Sequence, residues 1–154
     1  MKGATELQIR TRRAPVPEEI AFLDLARTTE MLSRPLVQLL KTEDVSPAQY
    51  NVLRILRGSP DGLTCGEIAD RMITRDPDIT RLLDRLEKRK LVARARDHKD
   101  RRVVLTRIAS DGLDLLSRLD QPVRDMHRKL LGHLGPERLR GLAELLEACR
   151  SRVQ

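Results

Sequence analysis

The chain has 154 residues, 40% apolar and 34% charged, and a formal net charge of +7. That is apolar enough for a packed core, and the basic excess points to a polyanionic partner, either nucleic acid or an anionic membrane. No run approaches the ~18 apolar residues of a membrane span, no apolar leader opens the chain, and Cys65 and Cys149 lie too far apart for a disulfide framework, so a protein of the reducing cytoplasm with no membrane contact is expected.

Residues 1–17 are polar and basic and read as a flexible arm. A helical pattern follows over 18–45 with Ile20, Leu23, Ala26, Leu32, Leu36, Leu39 and Leu40, and Pro35 inside it predicts a kink or a break. Ser46-Pro47-Ala48-Gln49 is a capping box with proline at the first helical position. Its helix stops at Gly58-Ser59-Pro60-Asp61-Gly62. Leu63-Thr64-Cys65-Gly66-Glu67 is a second capping box, opening a short helix through Ile68, Ala69 and Met72. Asp76-Pro77-Asp78 opens the next, with Asp76 as N-cap and Pro77 at the first helical position. Here Ile79, Leu82, Leu83 and Leu86 form one apolar stripe. Two short helices joined tightly are a helix-turn-helix pattern.

Beyond Leu91 the period changes from 3.6 to 2. Val92 to Arg96 reads as a strand, Asp97-His98-Lys99-Asp100 as a turn, and Arg102 to Ile108 as the returning strand, with Val104, Thr106 and Ile108 on one face. A hairpin directly after a helix-turn-helix is a wing. Residues 109–154 are helical again. Leu116, Leu119, Val123, Met126 and Leu130 make a coiled-coil-like seam, which Pro122 is expected to bend. After a break at Gly132 and Gly135-Pro136, Leu139, Leu142, Leu145, Leu146 and Cys149 share a face, with Cys149 read as a core residue. The fold class is mainly α with a small β-hairpin wing. A winged helix-turn-helix over 46–108 stands between two sets of dimerisation helices, 18–45 and 109–154.

Opposite the apolar stripe of the helix that opens at Pro77 lie Pro77, Arg81, Asp84 and Lys88, with Asp78, Thr80 and Arg85 at the margins. A helix in the major groove offers its first residues to base edges. Arg81 has the forked donors for guanine, Thr80 suits a thymine methyl or a base acceptor, and Asp78 suits a cytosine amino group or plain capping. Arg85 and Lys88, further along, suit phosphates. Between residues 67 and 107 thirteen basic residues face eight acidic ones, so most of the chain's excess charge falls here. In the wing, Arg101 and Arg102 suit a narrow minor groove, with Asp97 and Asp100 placed to hold one of them. Arg75 and Lys99 complete the candidate DNA contacts. Single-stranded nucleic acid is disfavoured, because Phe22 and Tyr50 are the only aromatic residues available to stack bases.

His98, His127 and His133 fall at no ligand or triad spacing, and no glycine-rich phosphate loop is present, so no catalysis, metal or cofactor is expected. Cys65, in a helix's first turn, is a redox candidate or a packing residue. A winged helix used only for protein–protein contact is the remaining alternative.

The run DITRLLDRLEKRKLVARARDHKDRRVVLTRIASDG, with VSPAQYNVLRIL before it and long helices on both sides, resembles the MarR family of bacterial transcriptional regulators. The resemblance implies a homodimer with intertwined terminal helices that presents recognition helices and wings to a palindromic operator. It also implies a repressor released by a small aromatic or phenolic effector, or by cysteine oxidation. Three positions depart from the family pattern. Lys90 replaces a glycine after the recognition helix, which implies strain or a different cap. Ala109 replaces a threonine, which moves the expected cap to Ser110. Asp76-Pro77-Asp78 makes an acidic helix start.

Overall fold

A computed structural model describes residues 14, 16–74 and 78–151. Most of the expected basic arm, together with Arg75, Asp76 and Pro77, lies outside the described residues. Helix α1 (Pro17–Lys41) runs unbroken through Pro35, contrary to a break there. One proline removes one ladder bond, and the remaining turns hold. Helix α2 (Pro47–Arg57) starts at the Ser46 box, in which Gln49 N–H donates to Ser46 Oγ at 3.1 Å and Ser46 N–H donates to Gln49 Oε1 at 2.9 Å. Helix α3 (Cys65–Arg71) starts at the equivalent Thr64–Glu67 box.

Helix α4 (Ile79–Lys88) differs from expectation at its start: the N-cap is Asp78, not Asp76. The Asp78 carboxylate accepts the Arg81 N–H at 3.2 Å and so fills the capping role itself. The helix ends in a Schellman pair, Lys90 N–H to Glu87 O at 2.8 Å and Leu91 N–H to Leu86 O at 3.0 Å. Lys90 therefore takes the left-handed position, φ 58°, that glycine ordinarily fills.

Strands β1 (Val92–Arg96) and β2 (Val104–Ile108) pair antiparallel from Val92↔Ile108 to Arg96↔Val104. Leu63 adds a bridge to Thr106, tying the hairpin to the start of the helix-turn-helix. The returning strand begins at Val104 rather than Arg102. Val103 N–H is bonded to Asp100 O and Val103 O accepts from Asp97 N–H, both at 2.9 Å, so 97–103 is all turn. Of the expected inner face, Thr106 is fully buried, Ile108 half-buried and Val104 exposed.

Helix α5 (Ser110–Leu131) has Ala109 as N-cap, with no side-chain bond. Ser110 is its first residue and not the cap. Ala109 N–H donates to Leu91 O at 3.0 Å, which holds residue 109 extended and starts the helix immediately after it. Pro122 does not interrupt α5. Leu115, Leu116, Leu119 and Val123 are buried, and α5 packs on α1 and α2. The first part of the expected seam is thus core within one chain, joined by Leu40, Val52, Leu53, Leu56, Ile68, Leu83 and Leu86. After a 3₁₀ turn at Gly132–Leu134, helix α6 (Gly135–Arg150) buries nothing. Cys149 is exposed and Leu145 is 68% exposed, contrary to Cys149 as core. The far half of α1 likewise leaves Phe22 71% and Met31 70% exposed.

Candidate nucleic-acid interface

Helices α3 and α4 pack on each other, and β1 packs on α4. The stripe of Leu82, Leu83 and Leu86 fixes the rotation of α4, since all three side chains enter the core. The opposite face is left to solvent, and Thr80, Arg81, Arg85 and Lys88 are exposed on it. Arg81 stands 81% exposed, its Nε 3.1 Å from the Asp78 carboxylate. Asp78 is thus a cap and an arginine guide, with its carboxylate already engaged.

On the wing, Lys99, Arg101 and Arg102 are exposed. Asp100 does hold an arginine: its Oδ1 accepts Arg102 N–H at 3.0 Å and Arg102 Nε–H at 3.2 Å, while the side chain stays 92% exposed. Asp97 contributes its backbone N–H to the turn. Arg96 donates from Nη1 to Arg101 O at 3.1 Å, which pins the wing loop from beneath.

Not every cation of the segment faces outward. Arg94 on β1 bonds Asp84 and Glu87 of α4, and Asp84 is thereby turned from the outward face toward the wing. The Arg94 guanidinium holds the Glu87 carboxyl below its ordinary range. Arg89 donates to Asp44 O and, at 3.1 Å, to Glu43 O, anchoring the end of α4 to the α1–α2 turn. Glu43 in turn takes a two-pronged bond from Arg118 of α5 at 2.7 and 3.1 Å, and that guanidinium lowers its pKa. Charge counting missed these internal duties. The spacing of Asp84 and Glu87, two acids one turn apart on a basic helix next to a strand, was the available signal.

Cys65 is half-buried against the core. It lines a cleft of about 220 Å³ with Thr80, Leu83, Arg94, Val104 and Thr106. Among the described residues no three His, Cys, Asp or Glu side chains group as a metal site, and no helix is long and apolar enough to cross a membrane.

The arrangement is an exposed cationic helix face beside an exposed cationic hairpin tip, both on a rigid core. Comparison with known proteins agrees with it. The MarR family profile matches residues 45–104. The crystal structure of a MarR transcription factor from Planctomyces limnophilus is 40% identical, with 89% of this chain and 99% of that one covered and a TM-score of 0.66. The S. aureus MepR–DNA complex is 25% identical over 86% of this chain and 96% of that one, with a TM-score of 0.75. The transcriptional repressor MdtR of Bacillus subtilis is 32% identical over 58% of this chain, and the match spans 57% of that repressor's length. A winged helix-turn-helix built on these residues, together with a 40% identical relative covered almost end to end, places the chain in the MarR family of transcriptional regulators.

Proposed function

We propose that this regulator binds a palindromic double-stranded operator as a homodimer in the cytoplasm and acts as a repressor. Helix α4 enters the major groove with Thr80, Arg81 and the Asp78 end foremost, while Arg85 and Lys88 meet phosphates. Arg101 and Arg102 carry the wing to the minor groove, and Lys99 and Arg75 are further DNA contacts. The observation that carries this reading is the exposure of Arg81 and Arg102 while their neighbours Arg94 and Arg89 are bonded inward. The similar MepR was crystallised with DNA, which supports the same partner here. Residues 18–45 and 109–154 form the dimer lobe, supported by the apolar side chains that α1 and α6 leave uncovered, and 46–108 read DNA. A small aromatic or phenolic acid is the effector class that the resemblance supports.

Fluorescence anisotropy against salt tests the reading. With roughly 6–10 phosphate contacts per dimer, the slope of log K on log salt falls near −0.9 per contact. A flat response, or tighter binding to single strands, refutes it and returns the protein–protein alternative. One observation favours a redox-responsive variant: Cys65 shares its cleft with Thr80 of the recognition helix. Alkylation of Cys65 by N-ethylmaleimide then weakens operator binding, and Cys65→Ser abolishes that sensitivity. Unchanged binding by the alkylated protein removes the variant.

A further inference from the structure

Arg94 lies in the most basic stretch of the chain, and a count of charges assigns it to DNA. Its bonds say otherwise. The backbone N–H of Arg94 donates to Glu87 Oε1 at 3.2 Å, its Nε to Glu87 Oε2 at 2.9 Å, and its Nη2 to Asp84 Oδ1 at 2.6 Å. The side chain is only 27% exposed. Two carboxylates on one guanidinium more than offset its charge toward an approaching phosphate. Charge-assisted, forked bonds also fix geometry better than single ones. One end of this cluster is α4 and the other is β1, whose register with β2 leads directly to the wing turn.

We infer that Arg94 is a positioning residue for DNA recognition: with Asp84 and Glu87 it forms a strut that sets the angle between recognition helix and wing, and so the spacing between the major-groove and minor-groove contacts. The inference rests on the DNA-binding reading above. Groove-to-groove spacing on a duplex is set by the helix, so a wing free to swing meets the minor groove out of register. Removing the strut then weakens the wing's hold on DNA, although Arg94 itself touches none.

The test uses the full-length protein and a duplex selected by the wild type from a randomised 30-base-pair pool, a length on the order of a bent repressor site. Affinity against salt, hydroxyl-radical footprints and thermal melts are measured for Arg94→Ala, for the charge swap Arg94→Glu/Glu87→Arg, and for Arg102→Ala. Arg94→Ala is expected to bind tenfold or more weaker, with a lowered salt slope, because the wing's cations leave the DNA together. Its footprint keeps the major-groove protections of α4 and loses those of the wing. The swap, which conserves net charge, recovers both. Arg102→Ala also lowers the slope, by about 0.9 for each phosphate charge that the side chain no longer neutralises, but keeps the protections of the rest of the wing. A charge swap that restores neither affinity nor slope, unchanged affinity of Arg94→Ala, or uniform loss of protections overturns the inference. Should Arg94→Ala melt below the assay temperature, Glu87→Gln in the same footprint replaces it. If the pool yields no duplex at all, the DNA-binding reading fails and not the strut alone.

Discussion

Gly112 sits in the first turn of α5, where it is buried against the base of the wing. A Cβ there would stand 2.3 Å from Leu91 O and 2.8 Å from Ile108 Cγ1. The first is backbone that already accepts the Ala109 N–H at 3.0 Å, so it cannot swing aside. Relieving the clash moves α5 outward by about an ångström, on the scale of ordinary C···O contact distances. That strains a core in which Leu115, Leu116 and Leu119 are buried on the same helix. Overpacking of this kind costs about 1–3 kcal/mol, and the stretched Ala109 bond about 1 kcal/mol more. The better helix propensity of alanine returns about 1 kcal/mol. Gly112→Ala is therefore expected to destabilise by about 1–3 kcal/mol, and a chain of this size loses roughly 2–4 °C in Tm per kcal/mol. Urea unfolding at fixed protein concentration measures it, since a dimer's midpoint moves with concentration. Gly66→Ala is the control: nothing lies within 4 Å of its Cβ position, so it is expected to be neutral or stabilising by up to about 1 kcal/mol. A Gly112→Ala protein as stable as wild type would refute the close approach of α5 to Leu91.

Lys90→Gly releases a left-handed residue at φ 58°, worth about 1–2 kcal/mol, against about 0.4–1 kcal/mol of added freedom in the unfolded chain. A small gain in thermal stability is expected, whereas Lys90→Val lowers it. Glu43 has a lowered pKa because of Arg118, so the pair's contribution is present above the unfolded glutamate pKa near 4.3 and is lost as pH falls through the folded value. The stability gap between wild type and Arg118→Met, followed by urea midpoint, should accordingly hold at neutral pH and close in acid. Arg81→Ala should cost about 1–3 kcal/mol on the operator and relax its sequence preference, with melting unchanged. Equal affinity for operator and variant would mean that α4 presents a different face. Removing residues 137–154 should leave α1 without its apolar partner surface, and sedimentation should show aggregate rather than a DNA-binding monomer.

What the sequence determined by itself is whatever is settled within a few residues. The Ser46 and Thr64 caps close over three positions, and both formed as their spacing implied. The stripe Leu82, Leu83, Leu86 needs only the helical period, and it alone aimed Arg81 outward. The change of period after Leu91 marked the wing because strand alternation is equally local. Tertiary structure decided the rest. The start of α4 moved to Asp78 because either aspartate satisfies a cap by composition and only the fold selects one. Part of the α5 seam became core within one chain, since periodicity tells which residues share a face and not what covers it. The arginines show the limit most plainly. Net charge adds up along a chain, but a guanidinium's availability does not. Arg57 is spent on Asp120 in another helix, Arg94 on two carboxylates of α4, and Arg89 on backbone carbonyls 45 and 46 residues away, and those partners exist only after packing brings them within hydrogen-bond reach.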